Sequence, residues 1–214
     1  MTEVMAGTLT EVEGPRIEPI DLYQAKRHIK FSPSTEDTLI DGWISAARQY
    51  FEEQTDRQLM AATWEWWLPG FPCGRVLELP KPPLQSVVSV SYVDGAGITQ
   101  TLVEGTDYVV KAPEGPRAPR GWIELMPGRS WPSTQCQSDA VRVRFVAGYG
   151  DAPGSVPELA RTVLFLLVGH LHKFRAETHE GKFGNTATRL AFGTQLMIRG
   201  FRYTALPRNP PERG

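Results

Sequence analysis

The sequence predicts an α+β fold in which N-terminal helices and a long C-terminal helix form a bundle, with a β-rich antiparallel insertion between them. Three observations carry this expectation. Apolar residues recur at helical spacing through residues 21–57 and again through 155–176. Between 63 and 147 the period falls to two, in short segments rich in β-branched and aromatic residues. At their junction, VRVRFVAGYGDAPGSVPELARTVLFLLVGHLHKFR turns a strand through glycines into a helix that is apolar nearly all round. One packed face cannot bury such a helix.

Residues 1–20, with Gly, Pro and Glu and no periodicity, read as a flexible or partner-ordered arm ending at Pro19. Asp21 followed by Gln24 is a capping-box start, so a short helix is expected over 21–30 with Leu22, Ala25 and Ile29 on its buried side. Ser32 and Pro33 break it. A second helix is expected over 34–57, opened by Ser34 with Asp37. It carries Leu39, Ile40, Trp43, Ile44, Ala47, Tyr50 and Phe51 on one face, with Asp41, Arg48, Glu52 and Glu53 opposite. Seven segments then read as strands: WEWWL, VLEL, SVVSVSYV, ITQTL, DYVVK, WIEL and VRVRFV. Asp94-Gly95 with Gly97 supplies a hairpin turn, and the set is expected to form one compact antiparallel sheet or a small barrel.

Residues 112–121, APEGPRAPRG, form a long loop with little to hold it down. Pro113, Pro116, Arg117, Pro119 and Arg120 are therefore expected to project as a contact element. Gly148, Gly150 and Gly154 let the chain turn after the last strand. Ser155 and Glu158 read as a capping box with Pro157 in the first turn, opening a helix over 155–176. Its flank of Leu164, Phe165 and Val168, which a surface helix keeps polar, is expected to meet a neighbouring subunit or a second layer of the fold.

The length of 214 residues suits one ordinary domain, placed at 21–180, with tails. Formal charge is −1 overall but uneven: residues 182–214 carry a net +5. The segment 181–214 is thus a basic tail. A solvated end, a nucleic-acid contact and a docking segment are the three readings of it. Phe192, Leu196, Met197, Phe201 and Tyr203, spaced among Arg189, Arg199 and Arg202, favour docking, because a purely solvated tail has no use for apolar anchors. Cys73 and Cys136 are too few for a disulfide framework or a zinc site. The longest apolar run, Val163–Val168, is far short of the ~20 residues that span a bilayer, which points to a soluble protein made in the cytoplasm.

Catalytic constellations are not found in the sequence. It contains no phosphate-binding G-x-x-x-x-G-K-[ST], no G-x-S-x-G elbow and no H-E-x-x-H. His170 and His172 diverge by about 200° on a helix and cannot share a metal from it alone. Glu52 and Glu53 read as a solvated face. Trp64 and Trp66 share one face of their strand and read as core, while Trp67 or Trp131 suits a protein interface. No enzyme and no cofactor is expected.

The succession DLYQAKRHIK, DTLIDGWISAARQYFEEQTDRQL, LPKPPLQSVVSVSYVDGAG, DYVV, the WIEL to WP interval, VRVRFVAGYG and VPELARTVLFLLVGHLHKFR resembles the head-tail connector (adaptor, or head completion) proteins of long-tailed bacteriophages and phage-derived gene transfer particles. The likeness covers about residues 21–178 and rests on the order and spacing of the segments. It implies a structural virion protein, made in the host bacterial cytoplasm and forming a ring, dodecameric in the virion, at the neck where head meets tail, with the DNA channel continued through it. The implied partners are the portal protein, neighbouring copies, the next tail component (a stopper or tail terminator) and the DNA passing through the channel, with no membrane. The resemblance implies that the C-terminal segment attaches to the portal, which points the tail residues from Arg189 to Tyr203 there, and a ring supplies a neighbouring subunit for Leu164, Phe165 and Val168; the proline-rich loop 112–121, with no apolar anchor between Val110 and Trp122, is expected to contact the next ring on the tail side. The competing reading is a cytoplasmic nucleic-acid-binding or DNA-packaging accessory protein that uses the basic tail.

Overall fold

A computed structural model describes residues 7–179 and 192–202. Within them the chain runs β1 (Thr8–Glu13), α1 (Leu22–Ile29), α2 (Asp37–Thr55), β2 (Ala62–Leu68), β3 (Val76–Glu78), β4 (Leu84–Val93), β5 (Thr99–Leu102), β6 (Tyr108–Lys111), β7 (Trp122–Leu125), β8 (Val141–Ala147), α3 (Glu158–His179) and α4 (Phe192–Phe201). The strands form a five-stranded sheet, β1-β2-β8-β4-β5, and a three-stranded sheet, β3-β7-β6, antiparallel throughout.

Two cores divide the molecule. The helical core gathers Ile40, Ile44 and Phe51 of α2, Val163, Leu164 and Val168 of α3, and Ile198 and Phe201 of α4 around Leu59 and Met60. The second core lies between the sheets, where Leu68, Val90, Val143 and Phe145 of the larger meet Leu77, Tyr108 and Ile123 of the smaller. β8 is the central strand of the larger sheet, paired with β2 on one side and β4 on the other. Its residues alternate buried and half-buried over Val141–Ala147, so one face enters the core while Arg142 and Arg144 stay at the other.

The expected architecture, a bundle closed by a long C-terminal helix and interrupted by a β-rich insertion, is corrected by this topology. β1 precedes the helices, yet it forms an edge of the large sheet, pairing Thr8 with Trp67 and Leu9 with Trp66. The sheet is therefore not an insertion within a bundle but a layer built from both sides of α1 and α2. The last described helix is the ten-residue α4, not the long α3. Eight strands in two sheets also replace the single sheet or barrel. The same pairing corrects the reading of 1–20 as an arm without structure, since Thr8–Glu13 gains its order from β2 and not from its own periodicity.

Element boundaries follow local chemistry. Asp21 caps α1, its side chain accepting from the Gln24 amide at 2.7 Å. α2 starts at Asp37, later than Ser34, whose carbonyl accepts the Asp37 amide. The expected Ser155 cap is displaced because Pro153–Ser155 forms a short 3-10 turn and Val156 is extended, so α3 begins at Glu158. In the β4–β5 hairpin, Asp94 Oδ1 accepts from the Ala96 and Ile98 amides, and Gly97 takes the positive φ of 81° that the turn requires.

Candidate assembly surfaces

Arg57 fastens three elements together. It follows Asp56, whose left-handed φ of 56° ends α2, and its side chain is buried. Nε donates to the Phe201 carbonyl at 2.6 Å and Nη1 to the Ala118 carbonyl at 2.8 Å. The end of α2 is thereby tied to the end of α4 and to the loop 112–121. Around this clamp, Arg120 pairs with Asp56, Arg202 Nε donates to the Gln54 carbonyl, and the Arg117 guanidinium lies 6.0 Å from the Phe201 ring centre. The Tyr149 hydroxyl donates to the Pro116 carbonyl at 2.7 Å. Burial pushes that hydroxyl above its ordinary value of 10.0, with Arg57 opposing, so it remains a donor at neutral pH.

These contacts correct the expectation of a freely projecting loop. Ala118 is buried and Arg120 is half-buried in its ion pair, while Pro116, Arg117 and Pro119 face solvent and Pro113 is partly covered. The physical reason is a buried arginine whose two donors need carbonyl partners, and the loop supplies one of them.

The tail residues are divided in the same way. Phe192 begins α4, Leu196 and Arg199 are exposed, and Met197 is partly buried against the helical core. Phe201 is fully buried, its ring 5.4 Å from that of Phe51, and Arg202 is exposed. Arg189 and Tyr203 lie outside the described residues. The segment from Phe192 to Phe201 is thus an amphipathic helix docked on its own domain, which corrects the expectation that it leaves the domain as a unit. The signal was present: Met197, Ile198 and Phe201 fall at helical spacing.

Leu164 and Val168 are fully buried in the helical core. A residue with no exposed surface cannot face a neighbour, so the expected subunit contact at these two positions is corrected to a second layer of the fold. Phe165 is half-buried, its ring 5.5 Å from that of His28 on α1. His172 packs between Phe31 and Trp43 at 5.9 and 5.8 Å. Among the described residues no group of three His, Cys, Asp or Glu side chains could hold a metal ion.

Glu52 and Arg48, expected on a solvated face, are buried together. Arg48 Nε donates to Glu18 Oε2 and its Nη1 to Glu52 Oε2, each at 2.8 Å. Glu52 Oε1 accepts from the Leu59 amide and from Gln58 Nε2. Burial pushes the Glu52 carboxyl up from its ordinary 4.5, the Arg48 charge pulling the other way. For Arg48, burial opposes the charge, but hydrogen bonds and charge from Glu18 and Glu52 outweigh it and hold the guanidinium more firmly protonated. Glu53 alone of the expected acidic pair stays exposed.

Exposed apolar side chains lie on several parts of the described surface: Val12 on β1, Ile17 before α1, Tyr23, Leu39 and Tyr50 on α1 and α2, Val88 on β4, Ile98 and Val103 beside the ends of β5, Leu159 on α3 and Leu196 on α4. No described helix is long and apolar enough to cross a membrane. Trp67 and Trp131 make contacts within the chain: Arg142 covers the Trp67 ring at 5.2 Å, and Trp131 stacks on Phe71 at 4.6 Å.

No protein-family model and no curated protein matches the chain. Its fold, however, matches solved chains of one kind of assembly. A chain in the virion of a native gene transfer agent particle is 20% identical, with a TM-score of 0.73 over 93% of this chain and 97% of that one. A chain in the neck of the empty particle, computed with C6 symmetry, gives 20% identity and a TM-score of 0.71 over 95% of this chain and 100% of its own length. A chain in the neck of the native particle, computed with C12 symmetry, gives 20% and 0.68 over the same shares. The fold shared over almost the whole chain is that of chains in the gene transfer agent virion and its neck, in keeping with the connector resemblance read from the sequence.

Proposed function

We propose that this chain is a structural virion protein of a phage-like particle, a head-tail connector whose copies form a ring in the neck, between portal and tail, through which DNA passes. The observation that carries the reading is the fold shared end to end with neck chains from assemblies of C6 and C12 symmetry. A ring requires two different faces on each copy, joined by a rotation that closes. With Leu164 and Val168 inside the core, the exposed apolar residues of the helical layer, Leu39 and Tyr50, and those of the β5 edge, Ile98 and Val103, are two such faces. The exposed side of α4, with Leu196 and Arg199, is the face offered to the portal. Electron microscopy of the purified protein mixed with its portal tests the assignment. A second ring stacked coaxially on the portal is expected; persistent monomers beside bare portal would overturn it.

A further inference from the structure

Directly opposed residues of a sheet project to the same side, so the register separates the two faces of the larger sheet. Leu9, Trp66, Val143, Val90 and Leu102 stand opposite one another across β1, β2, β8, β4 and β5, and this row enters the core between the sheets. The row beside it, Thr8, Trp67, Arg142, Ser91 and Thr101, faces away from that core. Thr8 and Thr101 are exposed, Trp67 and Arg142 are half-buried and Ser91 is buried, while Trp67 belongs to neither core. A tryptophan and an arginine at the centre of a flat polar surface have the composition of a protein-contact hot spot.

Arg142 is the cation of this face that is left to be matched. It lies over the Trp67 ring at 5.2 Å and, among the described residues, forms an ion pair with no carboxylate, whereas Arg144 has Glu65 at 3.8 Å. Glu65 keeps the net charge of the face small. Duplex DNA needs several cations along its path, so a single carboxylate of a protein suits Arg142 better than a nucleic acid does.

The chain carries such a carboxylate on another uncovered surface. Leu39, Gly42, Ala46, Tyr50 and Glu53 of α2 follow one another at three or four residues, form one stripe and are all exposed. Glu53, unlike Glu52 beside it, has no ion pair among the described residues. The stripe runs about 21 Å from Leu39 to Glu53 at ~1.5 Å per residue. From Arg142 to Thr101 on β5 there are two strand spacings, about 10 Å. A helix laid outward from Arg142 therefore crosses the β5 edge within its own length, which brings its Leu39 end to the side where Ile98 and Val103 are exposed.

We infer that α2 of one copy lies across the outer face of the larger sheet of the next, with Glu53 against Arg142 and with Leu39 and Tyr50 toward the β5 edge. The contact joins two unlike faces, so it can repeat around a closed ring. It rests on the ring reading and adds the pair of charges that fixes its register.

Charge exchange in the full chain, with ring formation on the portal followed by electron microscopy, tests it. Arg142→Glu and Glu53→Arg should each raise the concentration needed for half-maximal ring formation at least tenfold, and both changes in one chain should return it to within about threefold of wild type. Thr101→Glu, at an exposed position that leaves the Arg142–Trp67 stack in place, should weaken assembly like Arg142→Glu and be rescued by Glu53→Arg. This second pair carries the test if Arg142→Glu lowers the melting transition. Single variants that assemble like wild type, or paired variants no better than the single ones, would overturn the inference and leave the ring reading standing. Loss of duplex DNA binding in Arg142→Glu with ring formation unchanged would assign Arg142 to nucleic acid and overturn it as well. A wild-type chain that forms no ring on the portal would overturn the ring reading itself, and this contact with it.

Discussion

Arg57 and Glu52 show how single buried charges hold this molecule together. Arg57→Met keeps the volume but strands the Phe201 and Ala118 carbonyls, two buried acceptors. At ~1–3 kcal/mol per unsatisfied group, a loss of about 2–6 kcal/mol is expected in urea unfolding. A loss below about 0.5 kcal/mol would mean that water replaces the guanidinium without cost. Glu52 gives a pH signature. Its folded pKa is raised above the ordinary 4.5, so the native state holds the proton more tightly than the unfolded chain. Its contribution to stability is present below 4.5 and is lost as pH rises through the raised value. The stability of wild type relative to Glu52→Gln should therefore fall between pH 4.5 and the raised value, then level off. A difference that grows in favour of wild type over that interval would show that the Arg48 pair outweighs burial.

At the scale of elements, α4 is the test of what belongs to the domain. Ile198 and Phe201 are buried against α2 and α3, and full burial of each such side chain is worth about 1.5–3 kcal/mol. A chain ending at His179 should lose roughly 3–6 kcal/mol and melt about 10 °C lower or more. An unchanged melting transition would return α4 to the status of a separable tail. The strands from β2 to β8 and the Asp21 cap were legible because each is encoded within a few residues, by alternation or by a side chain three positions from its partner. β1 was not, since TLTEVE sets Thr8 and Thr10 beside Val12 on one side and Glu11 and Glu13 beside Leu9 on the other, leaving neither side apolar, and acquires meaning only from its pairing with β2. The loop 112–121 was misread for a related reason. Its anchor is an arginine 61 positions away in sequence, and no local spacing announces such a contact. Leu164 and Val168 lie on an apolar flank that needs cover, but spacing does not tell a second layer of the same chain from another copy.

For the whole molecule, two of the exposed apolar faces make a prediction that a contact between unlike faces satisfies and a symmetric contact does not. Tyr50→Asp on the helical face and Ile98→Asp at the β5 edge both fall on exposed positions, so each variant should fold and melt within a few degrees of wild type. Under conditions in which the wild-type chain assembles, each variant alone should remain monomeric, because every copy has lost one of its two faces. An equimolar mixture behaves differently. The Tyr50→Asp chain keeps its sheet-edge face and the Ile98→Asp chain keeps its helical face, so one contact of the native kind can form and no second can follow. Sedimentation should then show a heterodimer and nothing larger. Rings in the mixture, or full assembly by either variant alone, would move the subunit contacts elsewhere on the surface. Strictly monomeric behaviour of the mixture would mean that the two patches do not meet each other and that each serves a different partner.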